Sequence, residues 1–147
     1  MKQKIMLDVG CGENPQEGFI GMDKRNVADI VHDAEIIPWP IKDKSCAVVV
    51  MSHFIEHVKP WLTFDILNEC WRILDKGVVL MSMPYGTNHR FVQDPTHCNP
   101  WNEITPLYFV RGSGLWEIYK PKPWTIEKLF WNIHGDIELA MRKDDTI

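Results

Sequence analysis

The sequence predicts an α/β protein: a minimal doubly wound parallel sheet with an antiparallel C-terminal edge. Three observations carry that prediction. Short apolar runs alternate with loops and one amphipathic segment, the order expected of parallel strands joined by crossovers. The run from Cys46 to Met51 is β-branched and continuous, as a strand buried on both faces must be. Successive runs end in glycine, serine, proline or an acid, so small and polar residues gather at one edge of the sheet. With 147 residues, the chain fits one domain, 1–147, large enough to bury a core without staples.

Taken in order, Ile5 to Val9 is an apolar strand that closes on the tight turn Gly10-Cys11-Gly12. Phe19 to Met22 forms a second strand ending at Asp23, and Asp29 to His32 a short third, followed by a loop holding Pro38-Trp39-Pro40. Cys46 to Met51 is the central fourth strand. Pro60 suits a first helical position. The segment running to Leu74 sets Phe64, Leu67, Trp71 and Leu74 on one face and turns Asp65, Asn68, Glu69 and Arg72 away. Gly77 reads as the stop of that helix. Val78 to Met83, ended by Pro84, is a fifth strand. Leu115 to Tyr119 and Asp136 to Arg142 read as strand-like pieces that pair as the antiparallel edge.

Composition narrows the function classes. A net charge of −4 gives no electrostatic reason for a nucleic-acid groove, which needs clustered Lys and Arg. No apolar run approaches the ~20 residues that cross a bilayer. Lys2-Gln3-Lys4 leads straight into the first strand without the apolar core of a signal peptide. Cys11, Cys46, Cys70 and Cys98 show no CxxC spacing, and three of them sit in or beside apolar stretches, as reduced thiols do. The expectation is a cytoplasmic protein with no membrane and no nucleic-acid partner.

The chemistry gathers at the strand ends. Glycines after the first strand let a backbone approach a ligand outside the carboxyl edge of the sheet. Asp23, at the next strand end, can accept hydrogen bonds from both ribose hydroxyls of an adenosine. Asp33-Ala34 follows the third strand, where a carboxylate can take an adenine amino group as donor. Ser52-His53 and Pro84-Tyr85 close the fourth and fifth strands. A glycine turn alone is weak, but five such ends converging on one edge are not.

These residues resemble the class I S-adenosylmethionine-dependent methyltransferases, a Rossmann-like family, and in particular the group typified by the ubiquinone and menaquinone biosynthesis methyltransferases. The matching segments are Leu7-Asp8-Val9-Gly10-Cys11-Gly12, Asp23, Asp33-Ala34, Ser52 to Val58, and Arg72 to Gly77 followed by Val78 to Pro84, within roughly residues 4 to 110. The resemblance implies S-adenosylmethionine as cofactor and methyl transfer to a small-molecule or glycan-type acceptor. Asp8 would hold the loop or the cofactor amino group, and Gly10 and Gly12 would admit its methionine portion. Asp23 would bind ribose, Asp33 and the Ala34 backbone would meet adenine, and Met22 or Lys24 would lie against the ring. Ser52 or His53 would line the methyl-bearing end.

The chain departs from that family at one place with structural consequences. Only Glu13 to Gly18 separates Gly12 from Phe19, whereas a parallel crossover usually takes a dozen residues or more. The first helix must be missing or reduced to a turn, leaving part of one sheet face uncovered. A symmetric homodimer is one way to bury it.

Two histidine clusters remain. His53, Glu56 and His57 invite a metal reading, but a structural site needs about four ligands, so no metal ligand is assigned. His53 is read as a contact to cofactor or acceptor, and His57 as a buried histidine bonded to a loop carbonyl. Asp94-Pro95-Thr96-His97 resembles the lid segment of the same methyltransferases, and His97 is the candidate general base if the acceptor is a hydroxyl; an ordered loop with no catalytic part is the plainer alternative. Four tryptophans, Trp101, Trp116, Trp124 and Trp131, read first as core, with an acceptor pocket or dimer interface as rivals. Two functional alternatives stand beside methyl transfer. One is a module that binds cofactor or oligomerises without catalysis. The other is an NAD enzyme, disfavoured because Pro15 stands where the dinucleotide fingerprint has its third glycine.

Overall fold

Parallel pairing starts where the apolar runs are densest. Ile5–Val9 (β1) pairs with Ile20–Asp23 (β2) on one side and Cys46–Ser52 (β4) on the other, and Ile30–Val31 (β3) extends β2 at the edge. Leu74–Pro84 (β5) runs parallel to β4, and Asp136–Lys143 (β7) then pairs antiparallel with β5 and with Trp124–Trp131 (β6). The sheet therefore has seven strands in the order β3-β2-β1-β4-β5-β7-β6. A fully parallel dinucleotide sheet runs 3-2-1-4-5-6; here an antiparallel strand is inserted between the fifth and the last. This computed structural model describes residues 2–146.

Register divides the sheet into two unlike faces. Leu7, Val49, Val79 and Met141 lie side by side across four strands, all fully buried. They face Thr63–Ile73 (α1), which buries Ile66, Leu67, Cys70 and Ile73 in the same apolar cluster. Each such side chain contributes about 1.5–3 kcal/mol relative to exposure. The next row over, Asp8, Val50, Leu80 and Ala140, points the opposite way. There Leu80 is 38% exposed and Phe130 of β6 51% exposed. No helix joins β1 to β2, as the six-residue spacing requires; the short connection covers Asp8 and Val50, while Leu80 and Phe130 stay exposed.

Several elements differ from the sequence expectation. The helix ends at Ile73, because Leu74 already pairs with Cys46 as the start of β5. Gly77 is therefore not a helix stop: it lies in the strand, where a Cβ would come within 2.2 Å of the Ala47 carbonyl oxygen. It follows Lys76, at φ +52°, in a bulge that shifts the β4–β5 register. Glu69 turns inward, accepting the Trp39 N–H and pairing with Arg72, while Phe64 and Trp71 are only half-buried. Leu115–Tyr119 is no strand. Ser113 Oγ accepts the Trp116 N–H, and Trp116–Tyr119 (α3) makes one helical turn that ends at Lys120 in the left-handed region. The second edge strand is β6 instead. Of the late tryptophans, Trp101 and Trp124 are core, Trp101 stacked on Phe109 at 5.9 Å, and Trp131 is half-exposed. No helix among the described residues is long and apolar enough to cross a membrane.

Candidate active site

At the carboxyl end of β1 the chain turns through Gly10, at φ +69°, where a Cβ would lie 2.3 Å from Phe54 Cδ2. Glycine is needed there both for the backbone and for the ring packed over it. Asp8, on the uncovered face, accepts the Gln16 N–H at 2.9 Å. Burial pushes its carboxyl above the usual range, against that hydrogen bond. Of the two roles expected of Asp8, holding the loop is the one its contacts serve.

Asp23 closes β2 beneath this turn. Its Oδ2 accepts the Gly12 N–H and its Oδ1 the Arg25 N–H, both at 2.9 Å, with Arg25 Nε at 3.4 Å. Burial alone would raise the carboxyl, but the two N–H donors and the Arg25 guanidinium together hold it below the usual value. A carboxylate has about four lone-pair sites, and these three donors leave one for a hydroxyl. Asp33 Oδ1 accepts the Glu35 N–H, and the Ala34 carbonyl takes the Trp39 indole N–H at 2.8 Å, which fixes the loop after β3.

Gly10, Asp23, Lys24, Asp33, Ala34 and His53 come together on one cavity of about 640 Å³, within the span usual for small-molecule sites, roughly 300–1,000 Å³. Phe54, His57, Thr96 and Cys98 are among the other residues that line it. Not every expected residue is on it. Met22 is buried in the core and cannot reach a ligand ring. Gly12 stands back, its N–H engaged by Asp23. Ser52 opens onto a separate hollow of about 380 Å³ on the uncovered face, with Val50, Leu80 and Phe130. That hollow holds no glycine turn and no strand-end acid of the first three strands.

His53 sits at the end of β4 in the left-handed region, φ +50°, an uncommon conformation for a side-chain-bearing residue. Its Nδ1 is 3.4 Å from Glu56 Oε1 and its Nε2 3.7 Å from Asp136 Oδ2. Both carboxylates are buried. The Glu56 contact is the main reason the His53 pKa is raised, outweighing burial. Asp136 escaped the sequence reading, although a signal existed: an antiparallel strand begins at the edge where its parallel neighbours end.

His97 is placed elsewhere than expected. It does not line the cavity but lies behind His57, ring centroids 4.7 Å apart, its Nδ1 bonded to the Phe91 carbonyl at 2.8 Å. His57 is exposed rather than buried, and its Nδ1 meets the Thr96 hydroxyl rather than a carbonyl.

No family model matches the sequence, and no curated protein matches it. Solved structures do. The chain is similar to a SAM-dependent methyltransferase from Archaeoglobus fulgidus, with TM-score 0.70 and 21% identity over 95% of this chain and 86% of that one. It is also similar to a putative methyltransferase from Bacillus halodurans, with TM-score 0.66 and 14% identity over 97% and 94%. A SAM-dependent methyltransferase from Methanosarcina mazei matches with TM-score 0.63 and 14% identity over 97% and 94%. The fold is that of the class I SAM-dependent methyltransferases, with antiparallel strands at the C-terminal edge.

Proposed function

We propose that this protein transfers a methyl group from S-adenosylmethionine to a small-molecule or glycan-type acceptor. One observation carries the reading: the ends of β1, β2 and β4 and the loop after β3 deliver Gly10, Asp23, Asp33, Ala34 and His53 to a single cavity in a sheet of methyltransferase strand order. Asp23 supplies an acceptor for a ribose hydroxyl, Asp33 and Ala34 flank the place for adenine, and Lys24 lies beside it. The turn at Gly10 under Phe54 bounds the methionine end. The residues present fit the cofactor, because one cavity offers a glycine turn for the methionine portion and carboxylates for the ribose hydroxyls and the adenine amino group.

When bound, the cofactor would supply a sulfonium-activated methyl group for an acceptor lone pair. The chain must position the acceptor, exclude water and take one proton. We place His53 at the reacting end rather than His97, because His53 is on the cavity wall and Nδ1 faces a buried carboxylate. Glu56 then orients the ring through Nδ1 and stabilises the imidazolium that forms, the arrangement of a histidine base held by an acid, and Asp136 stands 3.7 Å from Nε2.

A thermal-shift titration tests the cofactor. S-adenosylhomocysteine should raise the melting temperature by mass action, while NADH at equal concentration should not. Stabilisation by NADH alone would overturn the proposal. Assembly as a symmetric homodimer belongs to the same reading and is supported by the uncovered sheet face, where Met6, Leu80 and Phe130 are exposed.

A further inference from the structure

We infer that Lys44, Lys122 and Lys143 form, around the Trp71 ring, a binding site for a phosphoryl group, carried on a small molecule or free as phosphate. The inference stands apart from methyl transfer and needs no cofactor. The three lysines line a hollow of about 420 Å³ together with Trp71 and Arg72. Lys44 precedes β4, Trp71 lies near the end of α1, and Lys143 is the last residue of β7. The hollow therefore lies at the edge where β4 and β5 begin, opposite the cavity at the carboxyl ends of the strands.

Lys143 is the first reason for an anion. It is 6% exposed, and lysine is almost never buried unless paired. Its Nζ donates to the Leu74 carbonyl at 2.8 Å and lies 3.8 Å from the centre of the Trp71 ring. Neither partner carries a negative charge. An ammonium has three N–H donors, and the Leu74 carbonyl takes one. Burial, reinforced by Lys44 and Lys122, holds this amine below its usual range, against the pull of Asp145 and Asp75.

The second reason is the charge balance of the hollow, on a chain whose net charge is −4. Its acids are Asp43, Asp65 and Glu69. Arg72 takes Asp43 and Glu69, while Lys4 takes Asp75 and Arg111 takes Asp144, so that no carboxylate among the described residues pairs with Lys44, Lys122 or Lys143. Three ammonium groups stand against Asp65 alone, an excess of two positive charges. A phosphate group carries about −1.5 to −2 near neutral pH. It matches that excess, and a single carboxylate does not.

The fold holds these groups in place from remote segments. Lys44 N–H donates to the Arg72 carbonyl at 3.0 Å, Lys122 N–H to Asn68 Oδ1 at 2.8 Å, and the Trp71 indole N–H to the Pro123 carbonyl at 3.1 Å. Lys122 Nζ lies 4.9 Å from the centre of the same ring as Lys143. Two cations at one indole are each attracted to it but repel one another, and an anion between them removes that repulsion. Lysine meets phosphate as a compact point charge with rotatable donors.

The test is calorimetric titration of inorganic phosphate, and separately of glycerol phosphate, into the protein in phosphate-free buffer. Each should bind saturably, and more weakly as salt rises, because Lys44 and Lys122 are exposed. Lys44→Gln and Lys122→Gln should each weaken binding about two- to fivefold, the worth of an exposed ion pair, and together about tenfold. Lys143→Met, which removes a buried donor, should weaken it about tenfold or more; if that variant does not fold, the two exposed positions still decide. Lys128→Gln, outside the hollow, should change nothing. In the parent, NMR of the Lys143 ε-methylene should show its pKa rise when phosphate is added, since an anion favours the charged form. Tighter binding of glycerol phosphate would mark a monoester as the ligand, and equal affinity the free ion. No saturable binding of either at millimolar concentration, or unchanged affinity in the Lys44→Gln/Lys122→Gln double variant, would overturn the inference.

Discussion

Replacing Asp23 with alanine disturbs the cavity floor and the loop above it together. The carboxylate holds the Gly12 and Arg25 N–H groups, each at 2.9 Å, with its side chain only 11% exposed. Leaving those donors without their partner costs about 1–3 kcal/mol of stability. Because the folded carboxyl lies below its ordinary value, that stability is present above the unfolded carboxylate pKa of about 4 and is lost as the pH falls through the folded value. The variant and the parent should therefore differ at neutral pH and converge in acid. Cofactor binding loses the ribose acceptor as well. Hydrogen bonds to a charged group are worth about 1.5–3 kcal/mol, so the dissociation constant for S-adenosylhomocysteine should rise about 13- to 160-fold. Calorimetry on the variant, with circular dichroism showing it folded, decides the matter. Affinity within twofold of the parent, in a folded variant, would refute the placement of ribose at Asp23.

Three further outcomes follow from the geometry. Gly77→Ala should destabilise the protein by about 1–3 kcal/mol, the range for overpacking, because its Cβ meets the Ala47 carbonyl oxygen at 2.2 Å; an unchanged denaturant midpoint would show the bulge free to relax. NMR titration of His53 should give a pKa above 6.5, and Glu56→Gln should bring it down, since the Glu56 contact is the main cause of the rise. If His53 is the base, activity should increase with pH through that value, and a rate flat across it would remove His53 from proton transfer. Light scattering at micromolar concentration should give a dimer mass, and Leu80→Arg, on the uncovered face, should return it to monomer; a monomeric parent would leave that face bare.

Much of this fold is legible because hydrophobic pattern and turn chemistry agree. β1, β4 and β7 follow from continuous or alternating apolar residues, and the short Glu13 to Gly18 segment leaves no room for a helix. The errors share a physical cause. Trp116-Glu117-Ile118-Tyr119 has strand propensity, yet the Ser113 hydroxyl and Lys120 close it into a helical turn. β6 is interrupted by a register shift between Ile126 and Lys128, which breaks its alternation. Gly77 ends no helix because a glycine also serves close strand approach, and sequence spacing does not separate the two uses. At the site, residues on successive strand ends were readable, since topology carries them to one edge. Between Met22 and Lys24, and between Ser52 and His53, the sequence does not choose: neighbouring residues at a strand end point to different sides, and Lys24 and His53 are the ones on the cavity. Asp136 and the meeting of His97 with His57 arise from contacts between remote segments, which no local pattern records.

The central claim is that the cavity bounded by Gly10, Asp23, Asp33, Ala34 and His53 takes the cofactor, rather than the hollow on the opposite sheet face. Amide chemical shifts of ¹⁵N-labelled protein, followed as S-adenosylhomocysteine is added, test it most directly. Saturable shifts should concentrate at Gly10, Gly12, Asp23, Lys24, Ala34 and His53. Shifts centred on Leu80, Phe130 and Ala140, or none at millimolar ligand, would contradict it.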